Sequence, residues 1–171
     1  MSAVSVELTN AAQAVLFREA LYLDMQRWDD WLDLYEEDAS FWMPAWIDEH
    51  KLSASPDSEL SLIYCAARAG LEDRVWRIRS GLSAASTPLL RTVHAVSSPV
   101  VSAIDDEAPA RLRVESSWIC HLHHPKRREE HVFFGRYEHV LRQRPPGWRI
   151  ASKKVVLVND TIPTMLDFYC V

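Results

Sequence analysis

The residues best suited to chemistry are the histidines and cysteines, and they crowd most closely at Cys120, His121, His123 and His124. His121 and His123 are two apart, so a strand would show both on one side. A metal site needs three or four converging ligands, and no second cluster of such residues is in view. The competing reading is a polar strand end running into a hairpin. Cys120 and His123 also have the C-x-x-H spacing of half a cluster-binding motif of the two-cysteine, two-histidine kind. The other half, C-x-H, is missing, because neither Cys65 nor Cys170 has a histidine two residues later. His94, His131 and His139 are scattered, with no helical histidine pair to hold a mononuclear iron.

Proton transfer asks for less. One histidine and one carboxylate suffice for abstraction or dehydration. A curled sheet closed by helices would make a pocket into which His94, Asp29, Asp30, Tyr35 and Tyr64 could project. The alternative is a hydrogen-bonded strand histidine at His94 and solvated turn residues at Asp29 and Asp30. Nucleophilic catalysis has no foothold. There is no G-x-S-x-G elbow, and Cys65, between Tyr64 and Ala66, reads as a small buried apolar residue. Surface contact is the remaining role. Arg74, Arg77 and Arg79 sit beside Glu72 and Asp73, either as a solvated helix face or as an inter-subunit charge surface. Trp42 and Trp46, either side of Pro44, are interface candidates of the aromatic kind.

The elements that must position these groups read as helices first and sheet afterwards. Residues 9–35 have helical periodicity: Thr9 or Asn10 can cap, and Leu16, Ala20, Leu23 and Arg27 fall at i, i+4, i+7 and i+11. Trp28, Trp31, Leu32 and Tyr35 carry the apolar face past a break near Asp29 and Asp30. Phe41, Trp42 and Met43 read as a short strand stopped at Pro44, and residues 45–58 as a surface loop. Leu71, Val75 and Ile78 predict a short amphipathic helix over 70–81, with glycine at each end.

Beyond Arg91 the period is two. Leu112, Val114, Ser116, Trp118, Cys120 and Leu122 alternate with Arg111, Arg113, Glu115, Ser117, Ile119 and His121. Turns at Pro125 and at Pro145-Pro146-Gly147 then separate this strand from two more, over 130–142 and 148–158. Residues 91–104 supply another, bent at Pro99. The class is α+β, a long antiparallel meander curled over N-terminal helices. The tail carries Ile162, Met165, Leu166, Phe168, Tyr169 and Val171 and needs cover, from its own sheet or a neighbouring subunit. A single domain over 1–171 is expected, with 1–12 as a flexible lead.

Composition bounds the rest. The 171 residues carry 19 Lys plus Arg against 24 Asp plus Glu, a net charge of −5, which argues against a nucleic-acid partner. Four glycines leave little room for phosphate-cradling loops, while seven tryptophans, five tyrosines and five phenylalanines can fill the inside of a cone. Three widely spaced cysteines make no disulfide framework. No apolar run reaches the length of a membrane helix, and residues 1–7 lack a signal-peptide pattern. A cytoplasmic protein with no membrane partner is expected.

Four blocks then carry a likeness: WDDWLDLYEEDASFWMPAW (28–46), SLIYCAARAGLEDRVWRIRSG (61–81), RTVHAVSSPVV (91–101) and FGRYEHVLRQRPPGWRIASKKVVLVNDTIPTMLDFY (134–169). In order and without large gaps, they resemble the small (β) subunit of aromatic ring-hydroxylating dioxygenases. The FWMPAW and VVLVNDTIP blocks are most similar to the benzoate, toluate, anthranilate and halobenzoate branch, whose substrates are aromatic carboxylates. Ser97-Ser98-Pro99 departs from the pattern, since the family usually carries Asn after the serine.

The resemblance implies a cone-shaped α+β fold of the nuclear transport factor 2-like (cystatin-like) type, shared with scytalone dehydratase and ketosteroid isomerase. It implies a large α subunit as partner, commonly three α with three β, and therefore other β subunits as neighbours. The α subunit would hold a Rieske 2Fe-2S cluster and a mononuclear Fe(II), and electrons would come from NADH through a separate reductase. The complex would insert both atoms of dioxygen into an aromatic ring, in aromatic-compound catabolism. This chain would hold no metal, no cofactor and no catalytic residue, and would supply assembly surface. Trp42, Trp46, Arg74, Arg77, Phe168 and Tyr169 are the candidates for that surface. The alternative is a stand-alone cone-pocket dehydratase or isomerase using His94 with an aspartate, and a third reading is a small-ligand binding module on the same scaffold.

Overall fold

The computed structural model describes residues 4–82, 87–105, 110–163 and 165–171. Helix α1 (Val6–Asp24) starts earlier than Thr9, because Ser5 Oγ accepts the Leu8 N–H at 3.2 Å and caps it. Most of the lead expected to be flexible is therefore helical, and Ala12 is fully buried; residues 1–3 lie outside the described ones. The helix ends where Gln26 takes a left-handed φ of 55° and the Arg27 N–H reaches back to Tyr22 O at 2.8 Å. The break thus falls at 25–27 rather than at Asp29 and Asp30. Those two aspartates occupy the first turn of the short α2 (Trp28–Leu32), where carboxylates suit the positive end of the backbone dipole.

Tyr35 does not close the helical zone but opens β1 (Tyr35–Pro44), ten residues long against the three expected. Its charged run, Glu36 to Asp38, hid the strand signal. Next come β2 (Ser61–Cys65), which the sequence did not suggest, and α3 (Arg68–Arg79), stopped just before Gly81 at a φ of 65°. Gly70 lies inside the first turn of α3 rather than before it, and a Cβ there would come within 2.9 Å of Cys65 Cβ.

The meander follows as β3 (Arg91–Asp105), β4 (Arg111–His124), β5 (Glu129–Arg144) and β6 (Gly147–Leu157). The register of β3 against β4 shifts between Ser97 and Val100, around Pro99. The six strands form one sheet in the order β2-β1-β6-β5-β4-β3, antiparallel except where β1 lies parallel to β6. Helix α1 packs on β3 and β6, and α3 on β1. No helix among the described residues is long and apolar enough to cross a membrane.

Aromatic side chains fill the space between helices and sheet. Trp31 stacks on Phe168 with ring centroids 4.7 Å apart, and Trp118 lies flat on Tyr137 at 5.1 Å. Burial of each such side chain stabilises the fold by roughly 1.5–3 kcal/mol. The C-terminal turn (Phe168–Cys170) is part of this core: Phe168, Tyr169 and Val171 are buried within their own chain. The end of the tail is therefore covered by its own domain, while Ile162 remains exposed. Phe168 and Tyr169 have no surface to offer a subunit, which corrects their place among the interface candidates.

Candidate functional site

The interior is not wholly apolar. Glu19 interrupts the buried stripe of α1 (Ala12, Val15, Leu16, Leu23) and points its carboxylate at the sheet. Lys153 of β6 donates to Glu19 Oε1 at 2.8 Å, and His139 Nε2 of β5 lies 3.0 Å from Glu19 Oε2. Tyr35 O–H, at the start of β1, donates to the same carboxylate. Lys153 Nζ also sits 4.1 Å from the centre of the Tyr137 ring, a cation over a π face. Glu19, His139 and Lys153 are exposed by 2%, 0% and 2%.

Burial alone would push the Glu19 carboxyl up, but the charges and hydrogen bonds of Lys153 and His139 outweigh it and hold Glu19 far below the carboxylate range. Burial lowers His139 against the pull of Glu19, so the imidazole is neutral with its proton on the nitrogen facing Glu19. Burial also lowers Lys153, opposed by Glu19, and raises the Tyr35 and Tyr137 hydroxyls. The result is a compact, charge-neutral cluster in which one carboxylate serves three donors.

A second polar group lies at the end of α1. Asp24 Oδ1 is 2.6 Å from His94 Nδ1, and the same carboxylate accepts from Thr92 Oγ1 at 2.8 Å and from the His94 N–H at 2.9 Å. Burial raises the Asp24 carboxyl, yet the His94 contacts and Thr92 pull it lower overall. The histidine–aspartate pair required for acid–base chemistry therefore exists, but its carboxylate is Asp24. Asp29 is bound by Arg79 and Asp30 by Arg27, each at 2.8 Å, while Tyr35 belongs to the Glu19 cluster and Tyr64 faces outward. The sequence missed Glu19, Asp24 and Lys153. The one signal available was a charged residue at a stripe position of α1 and another at a buried position of β6. The His94 side chain is fully buried, so the pair fastens α1 to β3 and offers no substrate a way in.

The clefts lie elsewhere. One of about 500 Å³, lined by Glu36, Glu37, Asp38, Arg144, Pro145 and Arg149, opens at the surface where Arg142 and Arg144 bind Glu36. A smaller one of about 210 Å³ includes Trp42, Arg113, Glu138 and Lys154 on the side of the sheet away from the helices, and the strand positions of His139 and Lys153 also border it. Cys120 points inward and His121 outward on β4, so the dense histidine patch cannot converge with that thiol. Among the described residues, no group of three His, Cys, Asp or Glu side chains is placed to hold a metal ion.

The remaining interface candidates divide. Arg77 is exposed on α3. Arg74 is engaged by Asp167 at 2.8 Å and ties α3 to the C-terminal tail. Trp42 and Trp46 are half-buried, their indole N–H groups donating to Ser61 Oγ at 2.9 Å and to Leu157 O at 2.7 Å.

Comparison with known proteins gives a consistent likeness. The family described as "Ring hydroxylating beta subunit" matches residues 18–164. The small subunit of anthranilate 1,2-dioxygenase from Acinetobacter baylyi is 39% identical, over 97% of this chain and 99% of that one. The β subunit of benzoate 1,2-dioxygenase from the same organism is 40% identical, over 90% of this chain and 88% of the other. Among solved structures, the β subunit of benzoate 1,2-dioxygenase from Burkholderia mallei superposes with a TM-score of 0.76 at 33% identity, covering 100% of both chains.

Proposed function

Because this chain belongs to the ring-hydroxylating β-subunit family, we propose that it is the small subunit of the terminal oxygenase of a dioxygenase acting on an aromatic carboxylate of the benzoate or anthranilate type. It works in the cytoplasm as the scaffold of a complex with a large α subunit, in a three-to-three arrangement. The α subunit carries the Rieske cluster and the mononuclear iron, fed with electrons from NADH by a separate reductase. The donor set of this chain does not fit either centre: His94 and His139 are each committed to a carboxylate, and no group of three or more His, Cys, Asp or Glu side chains converges among the described residues. The chain contributes shape, stiffness and contact area.

The observation that carries the non-catalytic part of this reading is the closure of the interior. Glu19, Tyr35, His139 and Lys153 are sealed from solvent and bound to one another, and His94 is sealed against Asp24. Residues that would turn over a substrate need access to it. The acid–base reading finds its pair at 2.6 Å, which is the one point in its favour.

The test is co-expression with the large subunit of the same system, followed by iron analysis and turnover of an aromatic carboxylate by each component and by the complex. We expect iron and activity only where the large subunit is present, and a His94→Ala complex that keeps its turnover once folded. Turnover by this chain alone, abolished in His94→Ala, would establish the dehydratase or isomerase reading instead.

A further inference from the structure

The outer side of the sheet is uneven. Toward β3 it carries an exposed apolar ladder of Val93, Ile119 and Phe134. Toward β1 it sinks into the hollow of about 210 Å³. One row across the strands is Ser40, Ser152, Val140 and Arg113, running from β1 through β6 and β5 to β4. The next row is Trp42, Lys154 and Glu138. Three short side chains therefore make a floor, a row of tall ones stands along one side, and Arg113 ends the row. The charges do not cancel. Lys154 Nζ lies 3.3 Å from Glu138 Oε1 and 5.4 Å from the centre of the Trp42 ring. Arg113 and the hydroxyls of Ser40 and Ser152 have no partner among the described residues. One positive charge is thus left over in this hollow, on a chain whose net charge is −5.

We propose that this hollow binds a single-ring aromatic carboxylate. Size selects one ring: the volume is that of about seven waters at about 30 Å³ each, below the roughly 300–1,000 Å³ of a site for a drug-sized ligand. Three strand spacings, about 14 Å, separate the β1 and β4 ends of the row. One arene and its carboxylate bridge that span once the Trp42 and Arg113 side chains are counted in. Trp42 supplies a π face or edge for the ring. Arg113 supplies the counter-charge, since a guanidinium holds a carboxylate by two parallel N–H···O bonds. Lys154 has less to offer an anion, because Glu138 already shares it. The floor hydroxyls of Ser40 and Ser152 can donate to a carboxylate oxygen or to a ring substituent. A small inorganic anion would satisfy Arg113 and leave Trp42 unused, and a neutral arene would do the reverse. The inference goes beyond the scaffold reading and rests on it only for the choice of benzoate as the probe.

The experiment is titration of the full chain alone with benzoate, read by calorimetry and by saturation-transfer NMR. Benzamide and acetate serve as the uncharged and the ringless comparisons, and co-purification of the large subunit is measured in parallel. Wild type is expected to bind one benzoate per chain, saturably and in the millimolar range or tighter. Benzamide and acetate should bind at least about tenfold more weakly. Arg113→Met should weaken benzoate by about tenfold or more, the loss of a charge-assisted pair. Trp42→Leu should weaken benzoate and leave acetate unchanged. Val140→Phe, which raises the floor, should abolish binding with circular dichroism unchanged. Arg77→Met, on α3, should bind as wild type does. The absence of saturable benzoate binding overturns the proposal. So does acetate or benzamide binding as tightly as benzoate, because the ring or the charge would then have no role. So does a folded Arg113→Met or Val140→Phe chain of undiminished affinity. A chain that binds no benzoate yet joins the large subunit in an active complex sinks this proposal and leaves the assembly reading standing. A chain that binds benzoate as expected but captures no large subunit does the reverse.

Discussion

The inner and outer faces of the same strands invert the usual allocation of polar and apolar residues. On β5, His139 points inward to Glu19 and is fully buried, while Phe134 and Val132 point outward into water. On β6, Lys153 is buried and Val158, just past the strand, is exposed. Charge is expensive to bury and survives inside only when every member of the cluster is paired. Apolar surface in water costs less at each residue but gains the fold nothing. The inner face is thus a constraint on this chain's own folding, and the outer face leaves Val93, Ile119, Val132 and Phe134 partly in water. That difference separates residues that hold the domain together from residues whose loss should cost the single chain little.

The sharpest way to break the comparison is to leave one inner charge without its partner. Glu19→Ala strands the Lys153 ammonium in the core and should destabilise the chain by about 3–5 kcal/mol in urea unfolding. Glu19→Leu combined with Lys153→Met removes both charges at similar volume and should return most of that loss. A single variant costing under about 1 kcal/mol would mean that water reaches the cluster and that it is not a sealed interior. Phe168→Ala belongs beside it, at about 3–5 kcal/mol, because the ring stacks on Trp31 and meets Trp28 edge to face. The loss should appear in the chain measured alone, as expected of a core residue and not of an interface residue.

Acid should find the inner face next. Stability rises with pH wherever the unfolded chain binds more protons than the folded one. His139 is held below its ordinary 6.5, chiefly by burial, so the unfolded chain takes up that proton first and stability falls as pH drops below 6.5. Glu19 and Asp24 are held below their ordinary 4.5 and 3.8. Their contributions are complete above those values and are lost as pH falls toward the folded values. All three act in the same direction, His139 at the highest pH, with a limiting slope of about 1.4 kcal/mol per pH unit for one proton. His139→Gln keeps a donor toward Glu19 without titrating. Its urea midpoint should be flatter than wild type between pH 6.5 and 5, while the steep loss below 4.5 remains.

Much of this contrast was legible in the sequence, but not evenly. The strands β3 to β6 announced themselves, because burial on one face imposes period two and Pro125 and Pro145-Pro146 interrupt it. β2 was missed because five residues are too few to show a period, and most of β1 because its Glu36–Asp38 segment looks like loop. The candidate site was hardest. Glu19 and Lys153 are 134 residues apart in sequence, and a carboxylate in a helical stripe looks like an ordinary surface residue until the sheet is folded against it. Asp24 lost to Asp29 and Asp30 because the end of α1 was set by a left-handed Gln26, which side-chain type does not announce. The outer ladder did leave a trace: Ile119 and Phe134 occupy the phase of the alternation that should have been polar.

The smallest expected effect on stability is at that ladder. Phe134→Ser removes an aromatic ring that its own chain leaves 40% exposed, beside Ile119 and Val158. Its backbone stays tied into the sheet, with the N–H donating to Asn159 Oδ1 at 2.9 Å and the carbonyl accepting from Val158 N–H, and neither bond needs the ring. A surface substitution of this kind should move the unfolding free energy by no more than about 0.5 kcal/mol, measured at a concentration where wild type is a single chain. Gly135, the next residue, supplies the contrast in one strand. A Cβ there would lie 1.8 Å from Val156 O, so Gly135→Ala should prise β5 from β6 even though it is the milder change chemically. If Phe134→Ser instead destabilised the single chain by several kcal/mol, the ladder would be part of the domain's own packing, and the division of labour between the two faces would fail.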